Sequence, residues 1–487
     1  MRIFQKKYTH FLTSIFVVSL GGLSTLAFAP YYHYLVIILS VAALFVINKK
    51  QSFKNILLFG FGFFFFGIHW ITIALNTYGH MPYVGAIIST TILCIFLCLF
   101  FYPLKFFQQN FSSAIFVASS FTLLEWFRSF IFTGFPWLSL GYSQVPNSPL
   151  SGFLPIIGVH GISFLVILTV TLLLLYKKKD FKSNIIIFSM IAMIWGGGYI
   201  LKKIDWTQPI DEPIKVSLIQ GNIDQLIKWN NDSIQLSLKK YKDLIFQAQG
   251  ELIILPETSI PLIYQKIPIS FMQSLQEKMN ATKSKIILGA IYKENSQYFN
   301  SAVYLHDNSI NLYHKYHLVP FGEYIPLRPL LKFVYENWLQ IPFNDLSRGT
   351  KKQALFKFNN NQIAANICYE DVFGNEIIRP FPNATMLVNL SNDAWYGQSN
   401  AAFQHLQISQ ARAIETGRMM LRATNTGATA IINEKGEIIS HLPHFDVGIL
   451  EGYAQGYEGE TPYSKYGNYL IVLLSIMGVI LSLKRKT

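Results

Sequence analysis

The sequence predicts a multi-pass α-helical membrane domain joined to one large α/β domain. Three observations carry that reading. Eight apolar stretches are long enough, or nearly so, to cross a bilayer. A polar segment, 206–466, separates the seventh from the eighth. Within it, short β-branched runs alternate with helix-like stretches.

The apolar stretches come first. The chain has 487 residues, of which 51% are hydrophobic and only 14% charged, whereas soluble proteins carry about a quarter charged residues. A bilayer core about 30 Å thick needs roughly 20 apolar residues per helix. Such stretches lie at 11–29, 32–47, 55–75, 83–104, 112–132, 154–176, 184–201 and 467–483, the second being short. The expected organisation is therefore a membrane domain of seven transmembrane helices over 1–205, a soluble domain over 206–466, and a last helix with a basic tail over 467–487.

The distribution of charge sets the expected topology. Arg2, Lys6 and Lys7; Lys49, Lys50 and Lys54; Lys105; Lys177, Lys178, Lys179 and Lys182; and Lys484, Arg485 and Lys486 fall in alternate connections. With one acid, Asp180, these clusters account for the whole net charge of +13. Lys and Arg accumulate in loops kept on the cytoplasmic side. The basic balance reports topology and excludes a nucleic-acid patch. The connections around Asn76–Tyr83 and Phe135–Ser151 hold no Lys or Arg. Seven crossings from a cytoplasmic N-terminus then put the 206–466 domain outside the cytoplasm. Arg2–Lys7, the apolar run and Ala27-Phe28-Ala29 resemble a signal peptide, but Pro30 opposes cleavage and further spans follow, so a retained first helix is expected.

Of three cysteines, Cys94 and Cys98 read as small apolar residues on one helix face. Cys368 stands alone in the exported domain, where an unpaired thiol reads as a reactive one. No His/Cys spacing suggests a metal site, and no cofactor is expected.

In the soluble segment the β-branched runs are Ile214–Ile219, Leu252–Leu255, Lys285–Ile291, Ala302–Leu305, Ile363–Cys368, Met386–Leu390 and Ala428–Ile432. The helix-like stretches are Asp232–Gln247, Ile269–Lys283 and Ala401–Met420. Three segments carry chemistry at or after such runs: Leu255-Pro256-Glu257, Lys315 to Glu323, and Cys368-Tyr369-Glu370-Asp371. Ends of strands are where α/β domains place catalysts. A thiol, a carboxylate and an ammonium suit acyl transfer. The thiol attacks a carbonyl, the carboxylate moves its proton, and the ammonium stabilises the oxyanion.

These segments together resemble the Glu-Lys-Cys signature of the carbon–nitrogen hydrolase (nitrilase) superfamily, in that order and with separations of 58 and 53 residues. Within it, the seven-plus-one helix frame, Gln220-Gly221-Asn222-Ile223 with Lys228-Trp229, and Ser391-Asn392-Asp393-Ala394-Trp395-Tyr396-Gly397 resemble the apolipoprotein N-acyltransferase family. The resemblance spans essentially the whole chain. It implies an αββα sandwich and a catalytic triad of Glu257, Lys315 and Cys368, supported by Trp229, Glu323, Tyr369 and Glu370. It also implies a ping-pong reaction with a phospholipid as acyl donor and a diacylglyceryl apolipoprotein as acceptor, in a bacterial inner membrane with the catalytic domain on the periplasmic side. The chemistry is consistent: ester to thioester to amide needs no external energy source.

Other residues carry two readings each. Glu323 either orients Lys315 or acts as a second base, and Trp229 either packs or covers the acyl or amine site. Arg348 is a phosphate contact or a surface arginine. Glu125 and Arg128, three apart in the fifth span, are a structural pair or a functional one. Two rival functions remain: a membrane-tethered amidase, which has no need of eight helices, and a transporter or receptor, which gives no reason for the lone Cys368.

Overall fold

Each apolar stretch named above holds a helix in the computed structural model, which describes residues 2–48, 52–178, 180–326 and 345–484. The helices are Arg2–Leu23, Leu35–Ile47, Phe53–Ile68, Tyr83–Cys98, Phe111–Arg128, Leu154–Leu174, Phe181–Leu201 and Tyr469–Lys484. A helix satisfies its own backbone donors and acceptors, which hydrocarbon cannot do. Among the described residues, four runs are long and apolar enough to cross a membrane: His10–Ala27, Tyr83–Phe106, Pro149–Leu174 and Phe181–Leu201. Phe53–Ile68 and Trp70–Tyr78, bent by 49°, make a fifth if they count as one; Leu35–Ile47 and Tyr469–Lys484 are apolar but shorter. Lys49, Lys50, Lys179, Arg485 and Lys486, which entered the charge argument, lie outside the described residues.

The chain divides into two units. One holds Met1–Thr72, Tyr83–Ile204 and Tyr466–Thr487, and the other Ile73–Pro82 and Asp205–Lys465. In the first, the Glu125/Arg128 pair is buried and fastens an irregular segment. Arg128 donates to the carbonyls of Phe135 (3.0 Å) and Trp137 (2.8 Å) and to Ser139 Oγ (3.1 Å). Glu125 Oε1 accepts from Leu140 N at 2.8 Å. Non-helical backbone is thereby satisfied by the two side chains, and the role seen for the pair is structural.

The second unit is a four-layer α/β sandwich. Its first sheet contains β1 (Gln208–Gln220), β2 (Leu252–Ile254), β3 (Ile260–Ile263), β4 (Lys285–Glu294), β5 (Gln297–His306) and β6 (Ser309–His314). Its second contains β7 (Phe356–Phe358), β8 (Asn361–Ile367), β9 (Met386–Ser391), β10 (Met420–Thr424), β11 (Ala430–Ile432) and β12 (Ile438–His441). The last strand, β13 (Gly448–Glu458), returns to pair with β1. The order is 13-1-2-4-5-6 with β3 on β4, and 12-11-10-9-8-7 in the second sheet. β1, β2 and β4 run parallel, as do β8, β9 and β10.

Alternation along the strands decides the layers, because successive side chains leave a strand on opposite faces. Val216, Leu218, Leu252 and Ile254 meet Met386, Val388, Leu390 and Leu421 in one core between the sheets. Ile219, Ile253 and Leu255 point the other way, toward helices Asn231–Gln247 and Ile269–Thr282. Leu387 and Met420 do the same toward helix Ala401–Thr416. Strands buried on both faces read as continuous apolar runs, and that is why the sequence shows them.

The expected helix Ala401–Met420 ends early, at Thr416. Gly417, at φ +61°, closes it with its N–H on Ala413 O, a left-handed cap that turns Met420 into β10.

Candidate active site

Glu257 follows β2. Leu255 N donates to Ile287 O of β4 at 2.8 Å, and the chain then turns, with Ser259 N on Pro256 O at 3.2 Å. The turn lies against Gly289 of β4. A Cβ there would stand 2.4 Å from Pro256 O and 2.7 Å from Glu257 Cα. Only glycine lets the Glu257 turn approach that strand so closely.

Lys315 follows β6 and is 1% exposed. Its Nζ donates to Glu257 Oε1 at 3.2 Å and to Glu323 Oε1 at 3.0 Å. Asn300 of β5, which the sequence reading did not single out, donates Nδ2 to the same two oxygens at 2.7 Å each. Glu323 Oε2 takes Val319 N at 2.8 Å. The contact with Lys315 is the one that the orienting reading of Glu323 requires. Burial alone would lower the Lys315 ammonium, but the charges of Glu257, Glu323 and Cys368 outweigh it and hold it well above the ordinary lysine range.

Cys368 directly follows β8, stands at φ +53° and is buried. Burial pushes its thiol far above the usual range; Glu257 adds to this and Lys315 opposes it. At rest it is a thiol that needs a base before it can attack. Asp393 pushes the thiol up and the Ser391 hydroxyl pulls it down.

Glu370, two residues on, gathers four donors. Its oxygens accept from Ile367 N (2.7 Å), Tyr316 N (2.7 Å), His317 N (3.0 Å) and Tyr313 Oη (3.0 Å). Burial raises its carboxyl to about 7, against the pull of those backbone donors.

The other predicted residues lie around this group. Tyr369 is buried and packs edge-on to Phe373 at 5.1 Å and His317 at 5.9 Å. Trp229 packs against the small cluster of Ile291, Leu318 and Leu346. Arg348 lies over the Tyr316 ring at 4.5 Å, with Arg379 also over it at 4.2 Å. Two neighbours were quoted as motif residues but given no role. Lys228, fully buried, donates to Thr258 Oγ1 at 2.9 Å; burial lowers it to about 8, and Glu257 resists that. The Tyr396 phenol is raised well above its usual value by burial and then by Cys368, Asp393 and Glu257. Among the described residues no group of His, Cys, Asp and Glu could hold a metal ion.

A base, a fixed ammonium and a buried thiol in one constellation can move an acyl group through a covalent intermediate. Comparison with known proteins agrees in kind. The family model for the apolipoprotein N-acyltransferase N-terminal domain matches residues 20–172. The model for carbon–nitrogen hydrolase matches residues 215–461. The apolipoprotein N-acyltransferase of Nitrosomonas europaea is 40% identical over 95% of both chains. That of Chromobacterium violaceum is 35% identical over 98% of this chain and 95% of its own. That of Neisseria meningitidis serogroup B is 37% identical over 94% of each.

Two substitutions test this geometry through the rate at which iodoacetamide alkylates Cys368. Gly289→Ala should displace the Glu257 turn and lower that rate roughly 100-fold, the scale of a lost general base. Unchanged alkylation in folded protein would mean that Gly289 does not place the base. Glu370→Gln would turn an amide N–H₂ toward backbone donors, and each unmet buried group costs about 1–3 kcal/mol. The expected result is an unfolding midpoint lower by several degrees together with slower alkylation; a wild-type midpoint would show that the four donors find other acceptors.

Proposed function

The chain belongs to the apolipoprotein N-acyltransferase family, and from that premise we propose that Cys368 carries the acyl group as a thioester between a phospholipid and a lipoprotein. The enzyme is a membrane acyltransferase of lipoprotein biosynthesis and N-acylates apolipoproteins. The buried constellation of Glu257, Lys315 and Cys368 is the observation that supports the covalent route.

In the first half-reaction Glu257 takes the thiol proton, and the sulfur attacks the ester carbonyl of the phospholipid. The carbonyl π pair moves to oxygen. Two of the three Lys315 N–H groups are committed to Glu257 and Glu323, and the third faces the oxyanion, an interaction worth ~3–4 kcal/mol. Collapse expels the glycerol oxygen, which takes the proton from Glu257 and departs as lysophospholipid. In the second, the α-amine of the S-diacylglyceryl cysteine attacks the thioester. Glu257 receives a proton from the amine, an amide forms, and the sulfur leaves and regains its proton. Burial of Lys315 and Cys368 (1% and 6% exposed) keeps water from the thioester.

We further propose the arrangement that the basic clusters imply: seven helices before residue 206, one after 466, an inner-membrane location and a periplasmic catalytic domain. The two lipid substrates are the reason for the helical body.

Enzyme given phospholipid without acceptor should stop as an acyl-enzyme, with one lysophospholipid released per site. Neutral hydroxylamine should cleave the adduct, and a diacylglyceryl lipopeptide should discharge it with ping-pong kinetics. Cys368→Ala should form no adduct; a Cys368→Ala protein that still acylates lipopeptide would end the thioester mechanism. Topology has its own test, in sealed spheroplasts of a cysteine-free background. An impermeant maleimide should label Ile439→Cys, which lies exposed on β12, and reach Asp180→Cys only after lysis. The reverse pattern would invert the orientation.

A further inference from the structure

Beneath Cys368 lies a second group of charges that the acyl-transfer steps do not use. Asp371, Asp393, His405 and Arg422 are all at most 2% exposed. His405 Nε2 stands 2.8 Å from Asp371 Oδ1 and its Nδ1 2.8 Å from Asp393 Oδ1. Arg422 contacts the remaining oxygen of each, Asp371 Oδ2 at 3.2 Å and Asp393 Oδ2 at 2.8 Å. Two carboxylates face two cations, so the buried group is neutral when His405 is protonated. Burial and Arg422 act to lower His405, yet the two carboxylates win and raise it to about 9. Burial alone would raise Asp393, but His405 and Arg422 hold it at about 2.

This cluster reaches the nucleophile through its backbone. The carbonyl oxygen of Cys368 lies 3.2 Å from His405 Nε2 and accepts from Asn389 Nδ2 at 3.2 Å. Asn389 is in turn held by Arg422 Nη1 on its Oδ1 at 2.8 Å. Cys368 stands at φ +53°, a region that costs a non-glycine residue roughly 1–3 kcal/mol and persists only where its surroundings impose it. Two side-chain donors converging on its carbonyl are such an imposition. The His405 ring meets Asp371, Asp393, the Cys368 carbonyl and Arg422, whose Nη2 stands 2.8 Å from Nδ1, while the Ser409 hydroxyl on the same helix bonds Asp371, Arg422 and the His405 backbone carbonyl.

We propose that His405 is a positioning residue for the nucleophile: its Nε2–H, together with Asn389 Nδ2–H, holds the Cys368 carbonyl and so fixes the left-handed backbone that presents the thiol to Glu257 and the substrate. A second consequence is electrostatic. Asp393 makes the Cys368 thiol harder to ionise, and the His405 proton offsets that charge. The inference rests on the reading of Cys368 as the nucleophile.

The test separates the two ring nitrogens. In His405→Gln the side-chain amide reaches the Nε2 position and keeps a donor toward Asp371 and the Cys368 carbonyl. In His405→Asn it reaches only Nδ1 and keeps the donor toward Asp393. Both remove the same charge and one of two ring donors, so a purely structural role would move the two variants alike. Alkylation of Cys368 by iodoacetamide and formation of acyl-enzyme from phosphatidylglycerol vesicles are measured beside the unfolding midpoint. His405→Asn should lose at least about 30-fold in both rates, and His405→Gln less than about fivefold, at similar midpoints. Equal rates in the two variants, or a faster His405→Asn, would overturn the proposal. If neither folds, Asn389→Ala decides, because it removes the other donor and leaves all four charges. A wild-type alkylation rate there would overturn the proposal, and a fall of about tenfold or more would support it. Alkylation involves no lipid. A gap between the variants in alkylation, with no acyl-enzyme even in the wild type, would therefore uphold His405 while removing the acyl-transfer route.

Discussion

One carboxylate, Glu370, ties the two sheets together at the active site. The proposed triad is split between them: Glu257 and Lys315 follow strands of the first sheet, and Cys368 follows a strand of the second. Apolar packing between the sheets fixes their separation but is non-directional, so it cannot hold a thiol in register with an ammonium. Glu370 supplies the direction. It accepts from Ile367 N just before Cys368 and from Tyr316 N and His317 N just after Lys315. Three backbone bonds from two sheets on one carboxylate leave little freedom between Cys368 and Lys315. The cost is a buried charge, expressed as a carboxyl raised to about 7.

Two further sets of buried charges flank the constellation. Lys315 sits between Glu257 and Glu323, with Asn300 bonded to both acids. Below the thiol, His405 and Arg422 answer Asp371 and Asp393. An uncompensated buried ion costs several kcal/mol, and in each set groups of opposite charge lie within hydrogen-bond reach of one another. The thiol lies between these sets and is itself neutral at rest. Proton transfer from Cys368 to Glu257 moves a negative charge without creating one, and the surrounding cations need not rearrange.

Much of this was legible in the sequence, for identifiable reasons. The strands buried on both faces, β2, β4, β8 and β9, read as apolar runs, and two of the three proposed catalytic residues, Glu257 and Cys368, stood just after β2 and β8. Strands half open to solvent did not read so. β6 (Ser-Ile-Asn-Leu-Tyr-His) and β13 (Gly-Ile-Leu-Glu-Gly-Tyr-Ala-Gln-Gly-Tyr-Glu) mix polar and apolar residues and pair only because neighbours supply their registers. Asn300 and His405 were missed for another reason. An asparagine in a strand and a histidine in a helix of mixed polarity carry no local signal; their contacts exist only once β5 meets Glu257 and helix Ala401–Thr416 packs on the second sheet.

The segment Ile73–Pro82 shows the same principle across a greater distance in sequence. By pattern it is the end of one apolar stretch and a short connection without Lys or Arg. In the structure it belongs to the unit that holds Glu257, Lys315 and Cys368. The Tyr78 ring meets Trp395 edge-on at 5.9 Å, a geometry aromatic quadrupoles favour. Gly397, at φ +54°, leaves room for Ile73, whose Cγ2 would lie 3.3 Å from a Cβ there. Trp395 and Tyr396 directly follow Asp393 and Ala394, so this early segment buttresses the loop that leaves the buried charge cluster. The catalytic unit is therefore continuous in space but not in sequence. The loop after Asp393 takes part of its support from residues that a boundary at 206 assigns to the other domain.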